Sequence, residues 1–229
     1  MHDPLEGSTW SAPSTIDGFV RSQPNDTLLR FAARERARVP SGRAIDIGCG
    51  AGRNAIPLAR QGWQVLGTDL SWPMLTAAKA RALAENEPTR LGLALAPMDA
   101  LPAPDRSFDL VVAHGIWNLA RSTAEFRRAV REAGRVAAPG AALFVFTFSR
   151  SMLPSDAVSV PGEPFVFTQF SGQPQCMVTR DQLTNELAAA GFALDDGVAF
   201  SEHNLPAANT VHALRPPVIL EAAFRYTGG

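Results

Sequence analysis

The residues best suited to chemistry form a glycine-rich turn near the start of the chain. Gly48, Gly50 and Gly52 follow a short apolar run at residues 44–47, which predicts a buried β-strand, and a helical pattern begins at about Arg53. A strand that turns sharply into a helix exposes unpaired N–H groups and the positive end of a helix dipole. Glycines let such a backbone approach a ligand closely. The stretch therefore predicts a nucleotide-type binding site.

The spacing of the glycines indicates which nucleotide is bound. In a dinucleotide fingerprint the third glycine comes three residues after the second, but Arg53 occupies that position here and Gly52 comes one residue early. Asp46, at the end of the strand, would repel a pyrophosphate. A second predicted strand, residues 64–68, ends in Asp69, whose carboxylate can accept hydrogen bonds from ribose hydroxyls. Ribose recognition without a phosphate cradle indicates a nucleoside that carries an amino-acid tail.

This order of residues resembles the first motif of the class I S-adenosylmethionine-dependent methyltransferases, acidic-x-Gly-x-Gly-x-Gly. The resemblance spans roughly residues 26–226 and implies S-adenosyl-L-methionine as cofactor and S-adenosyl-L-homocysteine as product. Residues 52–55 and 67–71 are more narrowly similar to small-molecule methyltransferases of the tellurite-resistance and thiol-modifying kind.

The resemblance implies cofactor contacts at the ends of several predicted strands. Asp99, in an Asp-Ala-Leu-Pro run, is expected to accept a hydrogen bond from the adenine amino group, and Met74 either touches the adenine or belongs to the core. The full set of expected cofactor-binding residues is Asp46, Gly48, Cys49, Gly50, Gly52, Asn54, Asp69, Leu70, Met74, Asp99, Ala100, Ala113 and His114.

The methyl acceptor is expected beside residues 113–118, which follow the predicted fourth strand and in the family face the methionine half of the cofactor. His114 is a candidate general base or polar contact, with a structural histidine as the alternative. Trp117 either walls the acceptor pocket or packs on the next helix. The expected acceptor-contacting residues are Trp10, Phe19, Arg21, Trp117, Asn118, Phe148, Phe165 and His203.

Alternating strand and helix patterns position these residues. They predict an α/β fold with a doubly wound, mostly parallel seven-stranded sheet of the Rossmann-like kind and an antiparallel hairpin at its edge. Ligands on such sheets bind beyond the carboxyl ends of the strands. The predicted strands are residues 44–47, 64–68, 91–96, 108–112, 142–148, 192–200 and about 211–226, and the predicted helices are residues 26–38, 54–61, 72–85, 123–137 and 179–190.

Two segments flank or interrupt the predicted methyltransferase domain, residues 25–229. Residues 1–24 are rich in Pro, Ser, Thr and Gly but contain Trp10 and Phe19, which predicts either a lid over the site or an arm that only packs on the domain. Residues 149–178 form a long Pro- and Gly-rich insertion with three phenylalanines. Because long loops in compact domains are usually functional, we interpret it as an acceptor lid, with a surface excursion as the alternative.

Composition limits the partners. The formal net charge of −1 gives no reason to expect a nucleic-acid partner, and the arginines of residues 123–137 are interpreted as a solvated helix face. Two cysteines make no disulfide framework, and His203 and His212 lack metal-ligand spacing, so no metal is expected. The absence of a membrane-length apolar run or a signal pattern predicts a cytoplasmic protein. A monomer or homodimer is expected.

These observations predict an enzyme that moves a methyl group from S-adenosylmethionine to a small-molecule acceptor by direct displacement. Alignment and exclusion of water supply most of the catalysis in such a step, and no acid–base triad is required. Two alternatives stay open. A nucleic-acid or protein methyltransferase would need a basic groove or docking extension, and a non-catalytic nucleoside-binding module would keep the binding residues without turnover.

Overall fold

The computed structural model describes residues 3–39, 42–85, 89–205 and 216–228. In these ranges the helices are α1 Pro13–Arg21, α2 Asp26–Arg38, α3 Ala55–Arg60, α4 Trp72–Ala84, α5 Thr123–Val136 and α6 Arg180–Ala189. The strands are β1 Arg43–Ile47, β2 Gln64–Asp69, β3 Leu91–Leu95, β4 Phe108–His114, β5 Ala137–Phe148, β6 Val166–Phe167, β7 Gln175–Cys176, β8 Phe192–Leu194, β9 Ser201–His203 and β10 Ile219–Tyr226.

The main sheet has the strand order β3-β2-β1-β4-β5-β10-β8, with β9 also paired to β10. Strands β1 to β5 are parallel, whereas β10 runs antiparallel to β5, β8 and β9. The predicted doubly wound fold is therefore confirmed. The sheet has eight strands and not seven, because β8 and β9 pair with different halves of β10.

Several predicted boundaries were wrong. Strand β4 continues through Ala113 and His114, which the sequence placed in the following segment. Strand β5 already begins at Ala137, so Pro139 and Gly140 lie within it, where the pairing with β4 is irregular. The strand predicted at residues 192–200 ends at Leu194. Of the last predicted strand, residues 211–215 lie outside the described residues.

Apolar residues on both faces of the sheet form the core. On one face, Val111 of β4 and Val145 of β5 pack with Phe126 of α5. On the other face, Leu110 and Phe144 of the same two strands pack with helices α2 and α3. The sheet is thus covered on both sides, as a parallel sheet requires. No helix in the described ranges is long and apolar enough to cross a membrane.

Side-chain caps fix where the helices begin. The side chain of Ser71 accepts a hydrogen bond from the Met74 amide at the start of α4, and Asn25 accepts one from the Leu28 amide at the start of α2. Thr179 and Gln182 form a capping box at α6. Each cap stabilises its helix by about 1 kcal/mol. The cap of α2 also places Asn25 at the carboxyl edge of the sheet.

The arginines on α5 are more than a solvated face. Arg127 pairs with Glu186 of α6, Arg128 pairs with Asp99 of the turn after β3, and Arg135 bonds Asp105. These side chains are partly exposed, so each pair contributes little to stability on its own. Their effect is to hold the turn after β3 and helix α6 against α5.

The N-terminal arm, residues 3–24, is ordered and partly helical. A 3₁₀ turn at Thr9–Ser11 leads into α1, and both contact α4. The Trp10 and Phe19 rings meet edge to face with centroids 6.1 Å apart. None of the residues of α1 is fully buried. The arm therefore lies on the domain without entering its core.

The insertion at residues 149–178 contains a 3₁₀ turn at Arg150–Met152 and the two-stranded antiparallel ribbon of β6 and β7. The Arg150 guanidinium lies 4.8 Å from the Phe167 ring centroid and donates hydrogen bonds to backbone carbonyls between Leu153 and Ala157. Arg150 thus holds the first half of the insertion against the ribbon of β6 and β7.

Candidate functional site

The glycine turn after β1 has a backbone that only glycine adopts easily. Gly48, Gly50 and Gly52 have φ angles of 70°, 53° and 76°. A Cβ on Gly48 would also lie 2.6 Å from Cδ1 of Ile116, so a side chain is excluded there by space as well as by backbone strain. The turn brings its backbone to the carboxyl ends of the first two strands.

Asp69 fastens this turn to the end of β2. Its Oδ2 accepts a hydrogen bond from the Gly50 amide at 2.9 Å, and its Oδ1 accepts one from the Ser71 amide at 2.8 Å. Burial raises the pKa of Asp69, and these backbone donors oppose that rise. The carboxylate therefore holds two loops together and keeps further lone pairs for a ligand.

Asp46 is a buried carboxyl group with an unpartnered oxygen. It is 2% exposed, and its Oδ2 has no hydrogen-bond partner in the described part of the chain. Burial raises the pKa of Asp46 to about 7, while the nearby Arg53 guanidinium lowers it and Asp69 raises it further. An unsatisfied buried carboxyl group is costly, so this atom fits a hydrogen-bond donor or a cation supplied by a ligand.

His114, at the end of β4, is held as a neutral side chain. Its ring stacks on Phe146 with centroids 4.1 Å apart, and Arg53 donates to its Nδ1 at 2.9 Å. Burial, followed by the Arg53 charge, lowers the pKa of His114 to about 3. Because Arg53 can only donate, Nδ1 is the acceptor and the ring proton is on Nε2. Asn25 Nδ2 lies 3.2 Å from Nε2 but is also a donor, so these two nitrogens are in contact without a hydrogen bond.

A polar network continues from Asn25 across the sheet. The Asn25 backbone N–H donates to Asn54 Oδ1 at 3.0 Å, and its side-chain Nδ2 donates to Glu221 Oε2 at 2.8 Å. The other oxygen of Glu221 lies 3.3 Å from His203 Nε2. The cap of α2 is therefore hydrogen-bonded to β10 and, through Glu221, to β9, with His114 of β4 in contact beside it.

The N-terminal arm covers the glycine turn. A Cβ on Gly50 would lie 3.2 Å from the Phe19 ring, and the Arg53 guanidinium lies over the same ring at 5.9 Å. The Ser71 hydroxyl donates to the Trp10 carbonyl at 3.3 Å. The arm thus touches both loops that Asp69 joins, and Phe19 occupies the space directly above the central glycine.

The structure brings the expected cofactor-binding residues to one edge of the sheet. Those from Asp46 to Asn54 follow β1, Asp69 and Leu70 end β2, and Ala113 and His114 end β4. Met74 is buried on the first turn of α4, and its sulfur would be 4.0 Å from a Cβ on Gly50. Asp99 and Ala100 follow β3, where Asp99 is already paired with Arg128.

The expected acceptor-contacting residues divide into separate groups. Phe19 lies over the glycine turn, Trp10 contacts Phe19 and Ser71, and Arg21 is exposed at the end of α1. Phe148 ends β5 and meets Phe170 edge to face, with centroids 5.5 Å apart. His203 lies beyond β10 and contacts Glu221.

Three of these residues lie instead on the α5 face of the sheet. Trp117 and Phe165 are buried, and each meets Phe126 edge to face. Of the two alternatives for Trp117, the structure therefore has the one in which it packs on the next helix. The neighbouring Asn118 is buried with an unpartnered Oδ1.

Sequence reasoning missed three residues of the polar network. Arg53 was treated only as the start of a helix, and neither Asn25, which precedes the helix predicted at residues 26–38, nor Glu221 was assigned a role in the site. Glu221 did carry a signal, because it is a single carboxylate inside the apolar run of β10.

The part of the chain that forms this edge of the sheet is similar in sequence to known proteins. Residues 45–145 match the family model described as "Methyltransferase domain". A demethylmenaquinone methyltransferase of Corynebacterium efficiens is 33% identical over 141 residues, which are 61% of this chain and 56% of that protein. A second curated relative is covered to 51% of its length, so the chain spans about half the length of the first curated relatives that it matches.

Solved structures agree on the fold. An S-adenosylmethionine-dependent methyltransferase from Methanosarcina mazei aligns with a TM-score of 0.68 at 18% identity, over 89% of this chain and 98% of that one. The 1,6-didemethyltoxoflavin-N1-methyltransferase of Burkholderia thailandensis, solved with S-adenosylhomocysteine and its acceptor, aligns with a TM-score of 0.63 at 17% identity, over 89% and 79%. These matches show that residues 45–145 are similar to a methyltransferase domain and that the chain shares the fold of the solved methyltransferases.

Proposed function

We propose that the protein binds S-adenosylmethionine at the glycine turn and transfers the methyl group to a small-molecule acceptor. The observation that carries this proposal is the hydrogen bond from the Gly50 amide to Asp69, which joins the first two strand ends within residues that match a methyltransferase model. The glycine spacing and the position of the turn at the carboxyl edge of the sheet support this cofactor.

The side chains around the turn fit the cofactor. Asp69 has lone pairs for ribose hydroxyls, and the unpartnered Oδ2 of Asp46 suits the ammonium group of the methionine part. Phe19 and Met74 both lie within 4 Å of where a Cβ of Gly50 would be and offer apolar contact there. The bound cofactor would supply a methyl group on a sulfonium, and the residues of this chain would align it and exclude water.

A small acceptor is supported by the charge of the chain and by its relatives. The formal net charge is −1, which offers no electrostatic attraction for nucleic acid. The Corynebacterium relative is named for demethylmenaquinone and the Burkholderia neighbour for a toxoflavin precursor. The same proposal makes the protein a cytoplasmic monomer or homodimer without a nucleic-acid partner.

Binding and transfer can be tested separately. Calorimetry should show S-adenosylhomocysteine binding to the purified protein. Incubation with methyl-labelled cofactor should then place label in a low-mass metabolite extract and not in added RNA or protein. Label in a macromolecule would contradict the small-molecule acceptor. Binding without any transfer would favour the nucleoside-binding module, and the absence of binding would overturn the proposal.

A further inference from the structure

A glutamate–histidine pair lies at the carboxyl edge of the sheet, away from the glycine turn. Glu221 of β10 is 5% exposed, and its two oxygens contact Asn25 Nδ2 and His203 Nε2. The His203 side chain is 45% exposed, and its Nδ1 has no hydrogen-bond partner among the described residues. A buried carboxylate thus orients a half-exposed imidazole whose other nitrogen is available.

We propose that His203 is a general base that takes the proton of an aromatic hydroxyl acceptor, with Glu221 as the residue that positions it. This proposal rests on the proposed methyl transfer, and it names aromatic hydroxyl compounds as the class of acceptor. The arrangement follows the usual requirement for such a base, in which a third group orients the ring and fixes its tautomer.

Strand register places this pair beside aromatic side chains. Ile219 of β10 is the register partner of Phe148 on one side and of His203 on the other, so all three side chains leave the same face of the sheet. Phe170 from the insertion meets Phe148 edge to face and is 43% exposed. Two phenylalanines and a base on one surface suit a flat ring that carries a hydroxyl group.

The proposed step balances as a proton transfer followed by displacement. His203 Nε2–H donates to Glu221, so Nδ1 has the free lone pair that accepts the hydroxyl proton of the acceptor. The acceptor oxygen uses the electron pair thus freed to bond the methyl carbon, and the pair of the breaking C–S bond stays on sulfur. The imidazolium formed is stabilised by Glu221 and loses its proton to solvent, which its exposure permits.

His114 does not fill this role, since Arg53 already occupies its Nδ1 and its pKa is about 3. The other charged or titratable groups linked to the pair are Glu202 on β9, which accepts from the Ser149 hydroxyl, and Arg53 beyond His114. Glu202 therefore provides a matched control, because it is a carboxylate next to His203 with a different partner.

Two acceptors that differ in acidity test the base. Catechol has hydroxyl protons that must be removed, whereas thiophenol is already largely anionic near neutral pH and needs little help. We expect His203→Gln to lower transfer to catechol by about 10²-fold or more, the usual contribution of a general base, and transfer to thiophenol by less than about tenfold. Glu221→Gln should fall between, and Glu202→Gln should match the wild type.

The pH profile separates a base from a structural side chain. The wild-type rate with catechol should fall as the pH is lowered, and this fall should be absent in His203→Gln. Glu221→Gln should change the pH profile, because the ring is no longer positioned, whereas Glu202→Gln should keep the wild-type profile. Identical profiles in all variants would overturn the proposal.

A binding measurement checks the same assignment without turnover. With S-adenosylhomocysteine bound, the wild type should bind 4-nitrophenol with the visible absorbance of the phenolate, while His203→Gln should bind it as the neutral phenol. Equal spectra, no 4-nitrophenol binding, or no transfer to catechol would each overturn the proposal. If thiophenol is still methylated, methyl transfer itself stands; if S-adenosylhomocysteine does not bind, the proposed function has failed instead.

Discussion

The two halves of the site are made differently. At the ends of β1 and β2, the backbone forms most of the site: three glycines have positive φ, and the Asp69 carboxylate accepts hydrogen bonds from two amides. At the ends of β4, β10 and β9, side chains form the site through contacts among His114, Asn25, Glu221 and His203. A backbone site keeps its shape under many sequences, whereas a side-chain site changes with single substitutions.

On the proposed function, the first half binds the cofactor and the second half binds the acceptor. The first half lies under the N-terminal arm, where Phe19 approaches Gly50. The second half draws its residues from the cap of α2 and from strands far along the chain from it. Variants in the first half should therefore change cofactor affinity, and variants in the second should change acceptor turnover.

The largest effect is expected from Asp69→Ala. The substitution leaves the Gly50 and Ser71 amides without their acceptor and also removes the expected partner of the ribose hydroxyls. Each unsatisfied buried donor costs about 1–3 kcal/mol, so S-adenosylmethionine affinity should fall by about a hundredfold or more. Calorimetry measures the change.

Asp69→Asn provides the matched control, since it keeps one acceptor oxygen in the same shape and should lose less affinity than Asp69→Ala. Unchanged affinity in Asp69→Ala would remove this residue from the cofactor site and would end the contrast between the two halves.

The sequence could predict the half of the site at β1 and β2 far better than the half at β4, β9 and β10. The glycine spacing, Asp69 and the helix start at residue 72 are local patterns, and in the structure β1 ends at Ile47, β2 ends at Asp69 and α4 begins at Trp72, where those patterns placed them. Their information lies within a few residues, because backbone geometry is set by neighbours in the chain.

The acceptor half could not be predicted in this way. Asn25 and Glu221 are 196 positions apart, and only the antiparallel insertion of β10 beside β5 brings them together. The face that a side chain takes also depends on register. Trp117 comes three residues after His114, yet it is buried against Phe126 while His114 stacks on Phe146 on the other face.

The second prediction concerns the arm that covers the cofactor half. Deletion of residues 1–22 removes Phe19 from Gly50 and the Trp10 carbonyl from Ser71. Exclusion of water is lost, so turnover should fall about tenfold or more. Since α1 buries no residue completely, the melting temperature should change by only about 2–4 °C. Full activity in the truncated enzyme would reduce the arm to a packing segment.

The third prediction compares the buried acid of one half with the buried base of the other. Asp46 has its pKa raised to about 7, so its contribution to stability is lost as pH rises from about 4 to 7. His114 has its pKa lowered to about 3, so its contribution is lost as pH falls from about 6.5 to 3. The two slopes have opposite signs and offset each other between about pH 4 and 6.5.

Single substitutions should reveal each slope. Relative to wild type, the free energy of unfolding of Asp46→Asn should rise with pH by about 1.4 kcal/mol per unit in this window. That of His114→Phe should fall by a similar amount, with stacking on Phe146 retained. Urea denaturation at half-unit pH steps measures both, and parallel curves for all three proteins would contradict the assigned protonation states.

The smallest effect is expected from His114→Ala on turnover. Because Arg53 occupies one ring nitrogen and the pKa is about 3, this histidine is neutral through the working range and has little capacity to accept a proton. Its removal costs the stacking on Phe146, about 0.5–1.5 kcal/mol, and loosens Arg53. Turnover should therefore fall by less than about tenfold, and the rate–pH curve should keep its wild-type form, in contrast to the loss expected for His203→Gln. A loss of several orders of magnitude that higher pH restores would make His114 the base and would move the proton-transfer step from β9 to the end of β4.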